Sequence, residues 1–129
     1  MPPTELVFYR DERGRAPVVE WLRALRRTDK RGYAKCVAKI MRLAAAGHEL
    51  RRPDADYLRD GIHELRARHG RVNHRILYFF HGRNVAILAQ ALTKEDQVPD
   101  TDIERAMECK RLFEHDPQAH TYEEETGIG

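Results

Sequence analysis

Residues 60–80, DGIHELRARHGRVNHRILYFF, combine the pattern of a β-hairpin with a high density of positive charge. Apolar and polar residues alternate on both sides of the HG turn, as expected for two half-buried strands. The stretch also contains four arginines and three histidines. Because successive side chains of a strand point to opposite faces, pairing Leu65 with Ile76 leaves Arg66 and Arg75 together on the far, partly open face. The hairpin therefore predicts a sheet with one basic face.

The flanking sequence predicts the other elements of a single α/β (α+β) domain. Further strands are expected over residues 5–10 and 85–92, and residues 50–61 are expected to form a loop. Helices are predicted to begin at Pro17, at Asp29 and after Pro99, with Gly47 ending the second and a Thr101–Glu104 capping box starting the third. The order is β-α-α-β-β-β-α: a small, mostly antiparallel sheet with a helical hairpin on one face, followed by a C-terminal helix.

Composition and charge favour a basic domain with an acidic tail. Of the 129 residues, 41% are hydrophobic and 34% are charged, which is typical of one globular domain. Residues 114–129 contain five acidic residues and no Lys or Arg, which leaves 23 basic against 16 acidic residues upstream. We expect a folded domain over residues 1–113 and a flexible tail over 114–129. The basic body favours a phosphate-bearing partner.

The sequence has no convincing membrane, disulfide or metal signal. The N-terminus lacks an apolar core, and no apolar run approaches the roughly 20 residues that span a bilayer, so we expect a cytoplasmic protein with no membrane partner. Cys36 and Cys109 belong to no CxxC or zinc-type spacing and are expected to be buried thiols. Four histidines lie on mixed strand faces and turns, which argues against a metal site: His63, His69, His74 and His81.

The hairpin arginines and the lysine after the last strand form the candidate functional cluster. A planar guanidinium can hold two phosphate oxygens at once and keeps its charge near neutral pH, so clustered arginines suit phosphate binding. For any single arginine, a solvated face that keeps the sheet soluble is the alternative explanation. Nucleic-acid contact is favoured for the cluster as a whole, which consists of Arg66, Arg68, Arg75 and Lys94.

Four successive motifs resemble the RelE/HigB toxin superfamily, and specifically its phage-derived Gp49-like branch. They are DGIHELR, similar to the family's D-G-x-x-E-L-R strand; HRILYFF, similar to its Y-R-x-x-Y strand; the segment ALTKE, similar to its G-F-x-K-K segment; and VPDTDIERA, similar to its P-x-x-E/D-I-x-x-A helix start. The resemblance covers residues 5–113. The chain departs from the family pattern at a few positions: His63, His74, Ala91, Leu92 and Glu95.

The resemblance implies a toxin of a type II toxin–antitoxin pair. Such a toxin is an endoribonuclease that cuts mRNA, typically on the ribosome, and uses no metal or other cofactor. Carried over by motif, the expected catalytic residues are Arg66, Arg75 and Lys94. The reaction is attack of a ribose 2′-OH on the adjacent phosphate, with Arg75 on that phosphate and the other two cations stabilising the charge that develops.

Five further residues are expected to contact RNA: Arg68, Arg71, His63, Glu64 and Phe79. Phe79 is the main candidate for stacking on a base, with packing beneath the third helix as its alternative. The general base stays open among His63, Glu64, His69 and His74. Strand parity turns His63 and His74 toward the helices, and it favours a salt bridge between Glu64 and Arg66.

The resemblance also implies partners. These are a cognate helix-turn-helix antitoxin, mRNA and the ribosome, with operator DNA contacted only through the antitoxin. The alternative function is a non-catalytic RNA- or ribosome-binding module, in which the arginines only hold phosphates.

Overall fold

A computed structural model describes residues 3–93 and 97–123 of the chain. Over these ranges it forms a five-stranded sheet, three α-helices and a short 3₁₀ helix at Gly47–Glu49. In chain order the elements are β1 (Glu5–Phe8), α1 (Pro17–Thr28), α2 (Lys30–Ala46), β2 (Ala55–Arg59), β3 (Ile62–His69), β4 (Val72–His81), β5 (Val85–Thr93) and α3 (Asp100–His115). The predicted α/β class, helical hairpin and C-terminal helix are confirmed. None of the described helices is both long and apolar enough to cross a bilayer.

The sheet has the strand order β1-β5-β4-β3-β2. β1 runs parallel to β5, and the other neighbours are antiparallel. In the central hairpin Leu65 is paired with Ile76 and Arg66 with Arg75, which confirms the register expected from the sequence. That register is fixed because a slip by one residue would move every apolar side chain to the other face.

The helical hairpin covers one face of the sheet. Asp29 separates α1 from α2 and caps α2, because its carboxylate accepts a hydrogen bond from the Gly32 amide at 2.9 Å. Gly47 ends α2 with a positive φ of 55°, which a residue with a side chain rarely adopts. The buried side chains of the two helices pack on the apolar residues of β3, β4 and β5 to form the first core, which includes Val18, Leu22, Cys36, Ile40, Leu43, Leu65, Ile76 and Tyr78.

Helix α3 covers part of the opposite face. It packs over the middle of the sheet and forms a second core that includes Ile62, Leu77, Phe79, Ile103, Ala106 and Phe113. The far face is therefore closed along most of its length and stays accessible near the tip of the β3–β4 hairpin. The predicted capping box is wrong: Pro99 occupies the N-cap, no side chain caps the helix, and Thr101 lies inside its first turn.

Strand β2 corrects the prediction of a loop over residues 50–61. Ala55–Arg59 pairs antiparallel with the start of β3, with Ala55 opposite Leu65 and Tyr57 opposite His63. The strand is short and carries charges, which is common at a sheet edge because such residues discourage pairing with another chain. Because the strand is short and charged, its sequence pattern did not predict it.

The C-terminal segment is docked on the domain as far as Tyr122. Thr121 forms an antiparallel bridge to Tyr9, and the Tyr122 amide donates to the Phe8 carbonyl at 2.9 Å. His120 is buried, stacks on the Tyr9 ring with centroids 5.3 Å apart, and donates from Nδ1 to the Arg10 carbonyl at 2.8 Å. Of the predicted tail over 114–129, residues 114–115 thus belong to α3, the following segment contacts β1 through Thr121 and Tyr122, and residues 124–129 lie outside the described ranges.

Replacing His120 with Ala should lower the free energy of unfolding by about 1–3 kcal/mol, because it removes both the ring stack and the hydrogen bond to Arg10. Urea denaturation followed by circular dichroism measures the change. His115→Ala is the matched control, since His115 is exposed at the end of α3, and it should change stability by less than about 0.5 kcal/mol. A loss below about 0.5 kcal/mol for His120→Ala as well would show that the contacts of His120 do not stabilise the fold.

Candidate functional site

A basic cleft opens where β2 stops short of the end of β3. Beyond Leu65, β3 has no neighbouring strand on that side, and the Arg66 amide donates instead to the Asp54 carbonyl at 2.8 Å. The space between this free edge and α2 is a cavity of about 660 Å³. We call it the basic cleft, and its described lining residues are Lys35, Ala38, Lys39, Arg42, Pro53, Arg66, Arg68, Asn73 and Arg75.

Helix α2 supplies half of the cationic lining, which the sequence analysis missed. Lys35, Lys39 and Arg42 follow one another at spacings of four and three residues, so they lie on one face of the helix. That spacing was a usable signal, but charges on an amphipathic helix are normally read as its solvated face. The helix must lie against the hairpin before these side chains and the strand arginines share one cavity.

Glu64 is buried next to the basic cleft without lining it, and it binds two of the lining arginines. The Glu64 side chain is only 1% exposed. Arg66 donates from Nε to Oε1 at 2.7 Å, and Arg75 donates from Nη1 to both oxygens at 2.8 and 3.1 Å. The side chain of Arg75 is 9% exposed, whereas that of Arg66 is 41% exposed. The predicted pairing of Glu64 with Arg66 is therefore observed, and Arg75 shares the same carboxylate.

This buried cluster holds the guanidinium groups in place. A buried carboxylate is costly unless it is paired and hydrogen-bonded, and Glu64 has three such bonds. The carboxylate offsets part of the combined charge of Arg75 and Arg66, and its hydrogen bonds orient both guanidinium groups. Both oxygens of Glu64 are engaged by arginines, which favours positioning of these side chains over the open alternative of proton abstraction.

Among the described residues, the basic cleft is lined by more cationic side chains than there are carboxylates to pair with them. Asp54 forms ion pairs with Lys39 and with Arg42, the latter at 3.0 Å, and its pKa is lowered chiefly by the hydrogen bond from Lys39. Within residues 3–93 and 97–123, six cationic side chains line the cleft, whereas only two carboxylates pair with them, Asp54 and Glu64. The cleft therefore has a positive potential suited to a polyanion.

Arg68 and Lys35 are the most available of these cations. Arg68 donates from Nε to the Gly70 carbonyl at 3.0 Å, and the Lys35 ammonium donates to the Arg68 carbonyl at 3.2 Å. Both side chains are exposed, and neither forms an ion pair with a carboxylate in the described part of the chain. Their charges can thus be met by phosphate without breaking an existing ion pair.

Three of the other predicted residues lie away from the cleft or outside the described structure. Phe79 is fully buried and contacts the Phe113 ring at 5.8 Å, so the prediction that it stacks on a base is corrected to its alternative, packing under α3. Arg71 is exposed in the hairpin turn and does not line the cleft. Lys94 lies outside the described residues, directly after the last residue of β5.

The candidate histidines face the helical hairpin. His63 is half-buried in an aromatic cluster and lines a separate pocket. His74 is 3% exposed; its Nδ1 shares a hydrogen bond with the Thr93 hydroxyl at 3.0 Å, and its Nε2 lies 3.8 Å from Asp29. His69 also lies 3.9 Å from Asp29. Among the described lining residues of the cleft there is accordingly no histidine and no carboxylate.

Burial keeps the two hairpin histidines neutral. Desolvation lowers the pKa of His63, and nearby His48 and Arg51 lower it further. Desolvation also lowers the pKa of His74, with Asp29 opposing this effect without reversing it. Elsewhere in the described ranges, no cluster of three or more His, Cys, Asp or Glu side chains is arranged to hold a metal ion.

Together these features define a small basic α+β domain with a preorganised cationic cleft at the open end of a β-hairpin. The model of the phage-derived Gp49-like protein family matches residues 20–111, from α1 into α3. The chain belongs to this family, a RelE/HigB-like toxin family, which confirms the resemblance found in the motifs. No curated protein gives a significant match to the chain.

Removing Arg75 should destabilise the fold. Arg75→Ala leaves the buried Glu64 carboxylate short of one partner, so we expect the free energy of unfolding to fall by about 3–5 kcal/mol. Arg68→Ala is the matched arginine control, because Arg68 is exposed and should change stability by less than about 0.5 kcal/mol. Urea denaturation of both variants measures the difference. A stability loss below 1 kcal/mol for Arg75→Ala would contradict the structural role of the pair.

Stability should also depend on pH through His63 and His74. Above the ordinary pKa of 6.5 both folded and unfolded chains hold these rings neutral; below it, the unfolded chain binds protons that the folded chain rejects. The free energy of unfolding should therefore fall as the pH is lowered from about 6.5 toward 5. Urea denaturation across this range tests the sign. The double variant His63→Gln/His74→Gln should show a shallower pH dependence, and an unchanged slope would assign the effect to other groups.

Proposed function

We propose that this protein is the toxin of a type II toxin–antitoxin pair and acts as a cytoplasmic, metal-independent endoribonuclease on mRNA, at the ribosome. Membership of a RelE/HigB-like toxin family supports the toxin class. The observation that carries the nuclease assignment is the pairing of Arg66 and Arg75 at the floor of a cleft lined by six cations. Both arginines come from adjacent strands, which makes their spacing rigid.

The proposed reaction uses the cations of the cleft and no metal ion, and it also needs a group that accepts the proton of the 2′-hydroxyl. The ribose 2′-oxygen attacks the adjacent phosphorus, the bond to the 5′-oxygen breaks, and the products are a 2′,3′-cyclic phosphate and a 5′-hydroxyl. The proton lost by the 2′-hydroxyl is balanced by the one gained at the 5′-oxygen. Negative charge grows on the phosphoryl oxygens in the transition state, and preorganised donors stabilise it there.

Burial refines the roles of the proposed catalytic residues. Arg66, which is partly exposed and oriented by Glu64, is placed to donate to a phosphoryl oxygen. Arg75 lines the same cavity from a more buried position and keeps the local potential positive. Lys94 follows β5, whose last residue, Thr93, is paired with His74 next to Arg75; we propose it as the third cation. Arg68 and Lys35 hold the flanking phosphates.

A non-catalytic RNA- or ribosome-binding module is the second candidate function. It is favoured by the lining of the cleft, where the described residues include no histidine or carboxylate that would take the 2′-hydroxyl proton. In the nuclease proposal that proton passes to a group of the ribosome-bound complex or to a residue outside the described ranges. The two functions differ in one measurable outcome: the nuclease creates new RNA ends by cleavage, and the binding module does not.

The proposed antitoxin is a helix-turn-helix protein that covers or distorts the basic cleft. A partner that places carboxylates against Lys35 and Arg68 would replace RNA phosphates at the same positions. Contact with operator DNA is then made by the antitoxin within the complex.

Induced expression of the intact protein in a bacterial host tests the nuclease. Growth arrest should be accompanied by mRNA fragments with 5′-hydroxyl ends, detected by ligation-based mapping. Arg66→Gln should reduce cleavage by about 10²–10³-fold, because it removes one charged donor to the transition state. Arg111→Gln is the matched control, since Arg111 is exposed on α3, paired with Glu108, and away from the cleft.

Two outcomes would contradict the proposal. Cleavage by Arg66→Gln at the unaltered rate would remove this residue from the mechanism. Growth arrest without new RNA ends, together with RNA binding by the purified protein, would favour the binding module instead. Co-expression of a helix-turn-helix protein encoded next to this chain should relieve the arrest in either case.

A further inference from the structure

A second cavity lies on the other side of the loop that enters β2. It has a volume of about 560 Å³, within the usual range for small-molecule sites. Pro53 lines the basic cleft, while Arg52 and Ala55 line this second cavity, so the same short loop borders both. We call it the aromatic pocket; the residues that matter here are His48, Arg51, Arg52, Asp56, Tyr57 and His63.

The wall of the aromatic pocket is a set of packed rings. Tyr57 is 55% exposed, and it is the most exposed Phe, Trp or Tyr among the described residues. Its ring meets His63 edge-on at 5.0 Å, and His63 in turn lies nearly parallel to Tyr78 at 5.1 Å. The His63 ring is held in place by its stacking on Tyr78, and burial lowers its pKa so that it stays neutral. Tyr57 therefore packs against a fixed, uncharged ring.

Positive charge lies next to this aromatic wall. Arg51 donates to the carbonyls of His48 and Leu50 at 2.6 and 3.2 Å, which fixes its guanidinium without a carboxylate partner in the described ranges. Arg52 pairs with Asp56 at 2.7 Å. An exposed ring flanked by held guanidinium groups is the combination that binds a nucleobase by stacking and its phosphate by charge.

We propose that the aromatic pocket is a nucleobase subsite in which one unpaired base of the RNA stacks on Tyr57 while Arg51 holds an adjoining phosphate. The inference rests on the proposed function, since it extends the RNA from the basic cleft across the Arg52–Pro53 loop. It supplies the base contact that Phe79 cannot make from its buried position. The subsite accepts an unpaired base of single-stranded RNA. A base that is paired in a duplex cannot stack on Tyr57.

Binding of single-stranded oligonucleotides, measured by fluorescence anisotropy, tests the subsite. The probe is 2′-O-methyl RNA, which lacks the attacking hydroxyl and stays intact. Tyr57→Leu keeps apolar volume but removes the π-face, so it should weaken binding by about 5- to 150-fold. Tyr57→Phe keeps the ring and should bind within about 3-fold of the unaltered protein. Met41→Ala, at an exposed apolar residue of α2 outside both cavities, is the control and should bind normally.

An abasic scan makes the assignment specific. Removing one base at a single position of the probe should weaken binding to the unaltered protein and leave binding to Tyr57→Leu unchanged, because the contact is already absent. Tyr57→Leu should weaken RNA binding without changing its salt dependence. Arg68→Ala should reduce the slope of log K against log salt concentration by about 0.7.

The outcomes separate this inference from the proposed function. If Tyr57→Leu binds the probe normally while Arg68→Ala binds weakly, the subsite is refuted and RNA binding in the basic cleft stands. If neither substitution changes binding, both proposals fail. If Tyr57→Leu binds RNA normally but weakens binding of the antitoxin, the aromatic pocket is a protein interface and the nucleobase assignment is overturned.

Discussion

The buried Glu64 carboxylate is the constraint on which the site depends. Its burial requires partners, and the partners it obtains are Arg66 and Arg75 from the two strands of one hairpin. An arginine as enclosed as Arg75 needs such a counter-charge to lie beside a packed sheet face. The same carboxylate orients the more exposed Arg66 toward the cleft. One ion cluster therefore joins the packing of the sheet to the geometry of the candidate phosphate site.

The fold makes room for this cluster by leaving one edge of β3 unpaired beyond Leu65. β2 covers β3 only as far as Leu65, and α3 covers the opposite face toward Phe79. Between these two limits the tip of the hairpin stays open, and α2 brings three more cations against it. A rigid arrangement of this kind supports phosphoryl chemistry because the donors need little rearrangement when charge develops on the substrate.

Parity along the hairpin predicted the register correctly because Leu65 and Ile76 must share the buried face, which fixes Arg66 opposite Arg75. The same reasoning favoured RNA for Phe79 and kept packing beneath α3 only as the alternative, because parity does not say how far α3 covers the far face. The cations of α2 were missed for a similar reason. Their helical spacing was visible, but only the folded chain brings that face against the hairpin. β2 was missed because five residues with two charges give a weak strand pattern.

The central claim is that Glu64 holds the cleft arginines in position before RNA arrives. The most direct test is the ¹⁵N relaxation of arginine Nε–H groups in the free protein, followed by titration with single-stranded RNA. The account predicts that the Nε–H groups of Arg66 and Arg75 are as ordered as the backbone, and that the Arg66 signal shifts on addition of RNA. Side-chain motion at both arginines as large as that of the exposed Arg71, or an Arg66 signal unmoved by saturating RNA, would contradict it.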